Sequence, residues 1–132
     1  MGGHAVVAGF ELTLRGVTDD CVIAAAAGPM DYLNLRTLHA DAQALLRPGR
    51  RLVLDLSQVD FFDSSGLNTL LRLHRQAAEL GGSLALTQVP ARVRQILALT
   101  GTDTVLKVYA TPDDAVTGPV WPGDAGHIPP GE

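Results

Sequence analysis

Cysteine and lysine are almost missing from this chain. Cys21 is the only cysteine in 132 residues, so no internal disulfide can form and cysteine usage gives no sign of secretion. Its neighbours Val22, Ile23 and Ala24 suit it to a small core position in an apolar run. Lys107 is the only lysine, and the remaining cations are arginines scattered along the chain. With no basic patch and a net charge of −4, nucleic acid is not an expected partner. Long apolar runs are missing as well: none approaches the roughly 20 residues of a membrane helix. Residues 1–5 lack the basic end and apolar run of a signal peptide. Val6 stands where myristoylation requires Ser or Thr. The expectation is therefore a cytoplasmic protein with no membrane contact.

Signatures of catalysis are also absent. There is no G-x-S-x-G elbow, no Walker or G-x-G-x-x-G sequence, and no metal-ligand spacing. His4 and His127 lie towards the chain ends, and His39 and His74 lie on or beside helical apolar stripes. No histidine is placed as the base that a serine hydrolase needs. A binding protein without cofactor or metal is expected, not an enzyme.

A composition 46% apolar and 18% charged suits one globular domain. Residues 10–15 alternate and predict a half-buried strand with Phe10, Leu12 and Leu14 inward. Residues 21–27 predict a second strand, buried on both faces and stopped by Gly28-Pro29. Leu35, Leu38, Ala42, Leu45 and Leu46 recur at helical spacing and predict a helix over 33–47, capped by Asp31 or Asn34 and ended by Pro48-Gly49. A short strand over 52–54, a loop over 55–63 and a helix over 64–80 follow. The expected buried face of that helix is Leu67, Leu70, Leu71, His74, Ala77 and Ala78. A strand over 83–88, a helix over 90–99, a strand over 105–109 and a short helix from Pro112 complete the domain. The fold class is α/β: a mixed, mostly parallel five-stranded sheet layered with helices. The expected domain spans 10–116, with a loose N-terminal tail over 1–9. Pro119, Pro122, Pro129 and Pro130 with several glycines predict a disordered tail over 117–132, with Trp121 solvated within it.

One segment is chemically distinctive: Asp63-Ser64-Ser65-Gly66, where a loop turns straight into a helix. Hydroxyls there lie beside unpaired backbone N–H groups and the positive end of the helix dipole, a setting that favours phosphate. Phosphorylation would add about −1.5 to −2 charge. Asp and Ser before a helix are equally routine as N-caps, and the four residues alone do not separate the two readings.

The whole chain does. It resembles the STAS domain, and within it the bacterial anti-sigma factor antagonists, over about residues 10–116. The resemblance rests on Val53-Leu54-Asp55-Leu56-Ser57 through Phe62-Asp63-Ser64-Ser65-Gly66-Leu67, on Gly81-Gly82, and on Val93-Arg94-Gln95-Ile96-Leu97-Ala98-Leu99-Thr100-Gly101 followed by Val108-Tyr109. It implies a partner switch. The unmodified antagonist binds an anti-sigma factor that is also a serine kinase, which frees a sigma factor. Phosphorylation ends the binding, and a PP2C-type phosphatase restores it. The implied acceptor is Ser64, with Ser65 as the alternative and otherwise a capping or local hydrogen-bonding residue. Asp63 is expected to fix the turn, and Gly66 to leave room for an approaching protein. Asn68, off the buried face, is a candidate partner contact. Asp31 matches the last residue of the family's Gly-Glu-Leu-Asp-like loop and places that loop near the switch. Pro29 stands where the family usually has an acid, so any contact made by that acid is missing here. A monomer is expected. Within the same family, the alternatives are a scaffold subunit of a stress-sensing assembly, a soluble subunit of a transporter, and a small-ligand or nucleotide-binding domain.

Overall fold

A computed structural model describes residues 9–118. The expectations for residues 1–8 and 119–132, Trp121 included, lie outside the described residues. The elements are β1 (Glu11–Val17), β2 (Cys21–Met30), α1 (Leu35–Gln43), β3 (Arg51–Phe62), α2 (Ser64–Glu79), β4 (Ser83–Thr87), α3 (Ala91–Thr100), a 3-10 turn (Thr102–Thr104), β5 (Lys107–Tyr109) and α4 (Pro112–Thr117). The sheet order is β1-β2-β3-β4-β5. The β1–β2 pair is antiparallel and every other pair is parallel, which is the mixed, mostly parallel sheet expected.

This sequential order decides where the helices go. Each of α1, α2 and α3 links a strand to its parallel neighbour, always stepping in the same direction. Right-handed crossovers then put all three on one face of the sheet. The main core follows: Val22, Ala24, Leu52 and Leu54 from the strands meet Leu38, Leu70, Leu73 and Leu97 from the helices. The other face is thinner, with Cys21, Val53 and Ala85 packed under Ala115 of α4. There the buried Arg51 guanidinium donates to the carbonyls of Ala115, Val116 (3.2 Å) and Gly118 (2.8 Å), closing the end of α4. Burial pushes the Cys21 thiol above its ordinary pKa despite the nearby Arg51 and Arg50, as suits a core residue.

Several boundaries differ from expectation. Gly28-Pro29 does not stop β2, which runs on to Met30. β1 reaches only to Ala27, so beyond it Pro29 has no partner on that side to which an N–H would be donated. β3 is a 12-residue strand, and most of the expected 55–63 loop is its second half, paired with β2 as far as Met30↔Phe62. Its polar residues Ser57, Gln58 and Asp60 are exposed while Leu56, Val59 and Phe62 are buried. α1 is shorter than expected, because the turns before and after it take i−3 bonds instead of helical ones. Leu14, expected inward, is 52% exposed: β1 is the sheet edge, and its register shifts just after Leu14. On α2 the buried stripe is Gly66, Leu67, Thr69, Leu70, Leu73 and Ala77. Leu71, His74 and Ala78, expected inward, are only half-buried at its margin.

Candidate functional site

β3 ends at Phe62 and α2 begins at Ser64, leaving Asp63 as the single joining residue. Asp63 is extended (φ −128°, ψ −172°) and serves as N-cap. Its Oδ1 accepts from the Ser65 N–H at 2.8 Å and the Gly66 N–H at 3.2 Å, and its backbone carbonyl accepts from the Leu67 N–H at 3.1 Å. The cap is thus the carboxylate, not either serine hydroxyl. Ser64 is exposed at the first helical position. Ser65 is half-buried, and its carbonyl accepts from Thr69 Oγ1 at 2.9 Å. Of the two hydroxyls, Ser64 is the one turned to solvent at the helix start. Because the cap is a carboxylate bound to two amides, Asp63→Ala should cost about 1 kcal/mol of stability, read by urea unfolding.

Gly66 corrects the sequence reading. Instead of clearing space for a partner, it is buried against the end of β2. A Cβ there would lie 2.3 Å from the Met30 carbonyl oxygen. That same oxygen accepts from the Asp63 N–H at 3.4 Å. Met30 is therefore the point at which β2 is pressed to the cap and first turn of α2. The signal in the sequence was Gly66 itself, a helix-disfavouring residue in a first turn; its partner Met30 was not recognisable.

Asp31 follows Met30 directly, so the chain beside Asp31 is brought against the Asp63–Gly66 turn. Its carboxylate faces inward to its own turn, accepting from the backbone N–H (3.0 Å) and Nδ2 (2.7 Å) of Asn34. Asn34 does not cap α1 with its side chain; its Oδ1 accepts from the Phe10 N–H at 3.2 Å. Asn68 is exposed one helical turn beyond Ser64, on the same side of α2. Ser64, Asn68 and the 31–34 turn thus share one end of the molecule, where the parallel strands finish.

A recess lies between the end of β3 and the start of α3. It is about 200 Å³, with Val59, Phe62 and Val93 on its floor and Asp60 and Arg92 at its sides. Small-molecule sites run to roughly 300–1,000 Å³, so this recess is below that range. Among the described residues, no group of three His, Cys, Asp or Glu could hold a metal ion, and no helix is long and apolar enough to cross a membrane.

Known proteins resemble this chain in sequence and fold. The sequence model of the STAS domain matches residues 15–115. The Bordetella bronchiseptica protein BtrV, provisionally named an anti-sigma factor antagonist, is 32% identical over 92 residues, 69% of this chain and 78% of BtrV. The crystal structure of an anti-sigma factor antagonist from Mycobacterium paratuberculosis is similar with a TM-score of 0.71 at 26% identity, covering 82% of this chain and 92% of that one. The unphosphorylated form of the anti-sigma factor antagonist SpoIIAA has the same fold, with a TM-score of 0.66 at 23% identity over 83% of this chain and 99% of that one.

Proposed function

Because the chain belongs to the STAS domain family, we propose that it acts as an anti-sigma factor antagonist whose binding is switched at Ser64. In its unmodified state it binds an anti-sigma factor that is also a serine kinase, and so frees a sigma factor. Transfer of a phosphoryl group to the Ser64 hydroxyl ends that binding, and a PP2C-type phosphatase reverses it. The ATP, the Mg²⁺ and the base that takes the hydroxyl proton belong to the kinase, so this chain is a substrate and not an enzyme. It works as a monomer.

The observation that carries this reading is the division of labour at the start of α2. Asp63 provides the cap, and the Ser64 side chain is left exposed at the first helical position. A carboxylate already engages the Ser65 and Gly66 amides, so these are not open to receive a phosphate on Ser64. Its charge, about −1.5 to −2, would face outward into whatever surface covers the site.

The test uses the anti-sigma factor kinases of the source genome, purified and incubated with this chain and Mg-ATP. One of them should add a single phosphate, and peptide mass spectrometry should place it on Ser64. A phosphate found only at Ser65, or elsewhere, would overturn the assignment of the acceptor.

A further inference from the structure

The turn after β2 carries two apolar side chains that the fold does not use. Tyr32 is 73% exposed and Leu33 is 85% exposed. They are the central residues of a tight turn closed by the Asn34 N–H donating to the Asp31 carbonyl at 3.1 Å. The Asp31 carboxylate grips both the backbone and the side chain of Asn34, and Asn34 is fastened through Oδ1 to the start of β1. The geometry is therefore set by Asp31 and Asn34, the residue types that turns favour for their local hydrogen bonds. Nothing in that chemistry calls for Tyr or Leu at the tip. The fold of the described residues leaves both side chains exposed.

Their position says which molecule would cover them. The turn follows Met30, whose carbonyl is bonded to Asp63 and packed on Gly66. Tyr32 and Leu33 thus flank the helical turn that presents Ser64. A protein that reaches the Ser64 hydroxyl passes over this turn. Tyrosine is among the residue types enriched at the energetic centres of interfaces. A turn already held by hydrogen bonds loses little conformational freedom on binding. The one carboxylate in the turn is occupied by Asn34, so the tip offers apolar surface and a phenol, not charge.

We propose that Tyr32 and Leu33 are the docking anchor for the kinase that modifies Ser64, received together in an apolar recess of that partner. The inference rests on the reading that such a kinase is the partner. The anchor acts at a distance from the reacting oxygen. It sets affinity and leaves the phosphoryl-transfer step alone.

The test compares wild type with the double variant Tyr32→Ser/Leu33→Ser, using the kinase that modifies the wild-type chain. Both replaced side chains are exposed, so the thermal midpoint should not move. Calorimetric affinity should fall at least about 10-fold. In the phosphorylation assay the KM for this protein should rise by a similar factor with kcat unchanged, the signature of lost uniform binding. If the wild type is modified and the double variant binds within twofold of it, the anchor is overturned while the switch at Ser64 stands. An unchanged KM with a lowered kcat would also overturn it. If no kinase binds or modifies the wild type, both readings fall together.

Discussion

Gly66→Ala should destabilise the protein by about 2 kcal/mol or more, although alanine is the better helix former. In an exposed helix the same change gains about 1 kcal/mol, so the sign of the result is itself the test. The added methyl would lie 2.3 Å from the Met30 carbonyl oxygen, 3.1 Å from Met30 Cβ and 3.2 Å from the Met30 carbonyl carbon. Two of these three are backbone atoms, and a backbone cannot swing away as the end of a side chain can. Met30 is held in register with Phe62 and receives the Asp63 N–H. Relief would require lifting α2 from the sheet or pulling β2 from β3. Close packing offers no free volume for either. Urea unfolding of the two proteins gives the difference directly. A variant as stable as wild type, or more so, would mean that α2 does not lie against β2 as described.

Much of the fold was readable because periodicity reports burial. The alternation over 10–15, the apolar run from Cys21 and the helical recurrence of Leu35, Leu38 and Ala42 each led to an element of the right type. The misread extents of β2 and β3 share one cause. Gly28-Pro29 and the polar residues Asp55, Ser57 and Asp60 read locally as loop, yet strand pairing from β2 to β3 continues through them. Pairing between segments 30 residues apart is a tertiary fact that local propensity does not carry. The shift of the α2 stripe to Leu73 has a similar origin, since the stripe depends on which face meets the sheet.

At the site, the four residues Asp63 to Gly66 were legible as a helix start, and the resemblance singled out Ser64. What each residue does locally was not legible. The sequence left open whether Asp63 or a serine made the cap; the carboxylate makes it. It read Gly66 as open space for a partner, whereas the glycine is closed against Met30. The exposure of Tyr32 and Leu33 was not legible, because the expected helix began only at Leu33 and local pattern does not set the burial of a turn tip.

Ser64→Asp should leave the fold intact and weaken partner binding about 100-fold, equivalent to about 2.7 kcal/mol. The two effects have opposite electrostatic origins. At the first position of α2 a negative side chain meets the positive end of the helix dipole, so stability should not fall. At the contact surface the same charge must be stripped of water and set against a partner that accepted a neutral hydroxyl, which costs several kcal/mol when no cation awaits it. Ser64→Ala removes the acceptor oxygen without adding charge. It should bind within about twofold of wild type, in keeping with the small effect of an uncharged surface change, and should take up no phosphate at this position.

The most direct measurement is a calorimetric titration of wild type, Ser64→Ala and Ser64→Asp against the anti-sigma factor kinase that modifies the wild-type chain, with thermal unfolding of all three alongside. Expected are two matching affinities for wild type and Ser64→Ala, one about 100-fold weaker for Ser64→Asp, and no drop in the midpoint of Ser64→Asp. Equal affinity across all three would contradict the claim that charge on this one oxygen decides whether the two proteins meet.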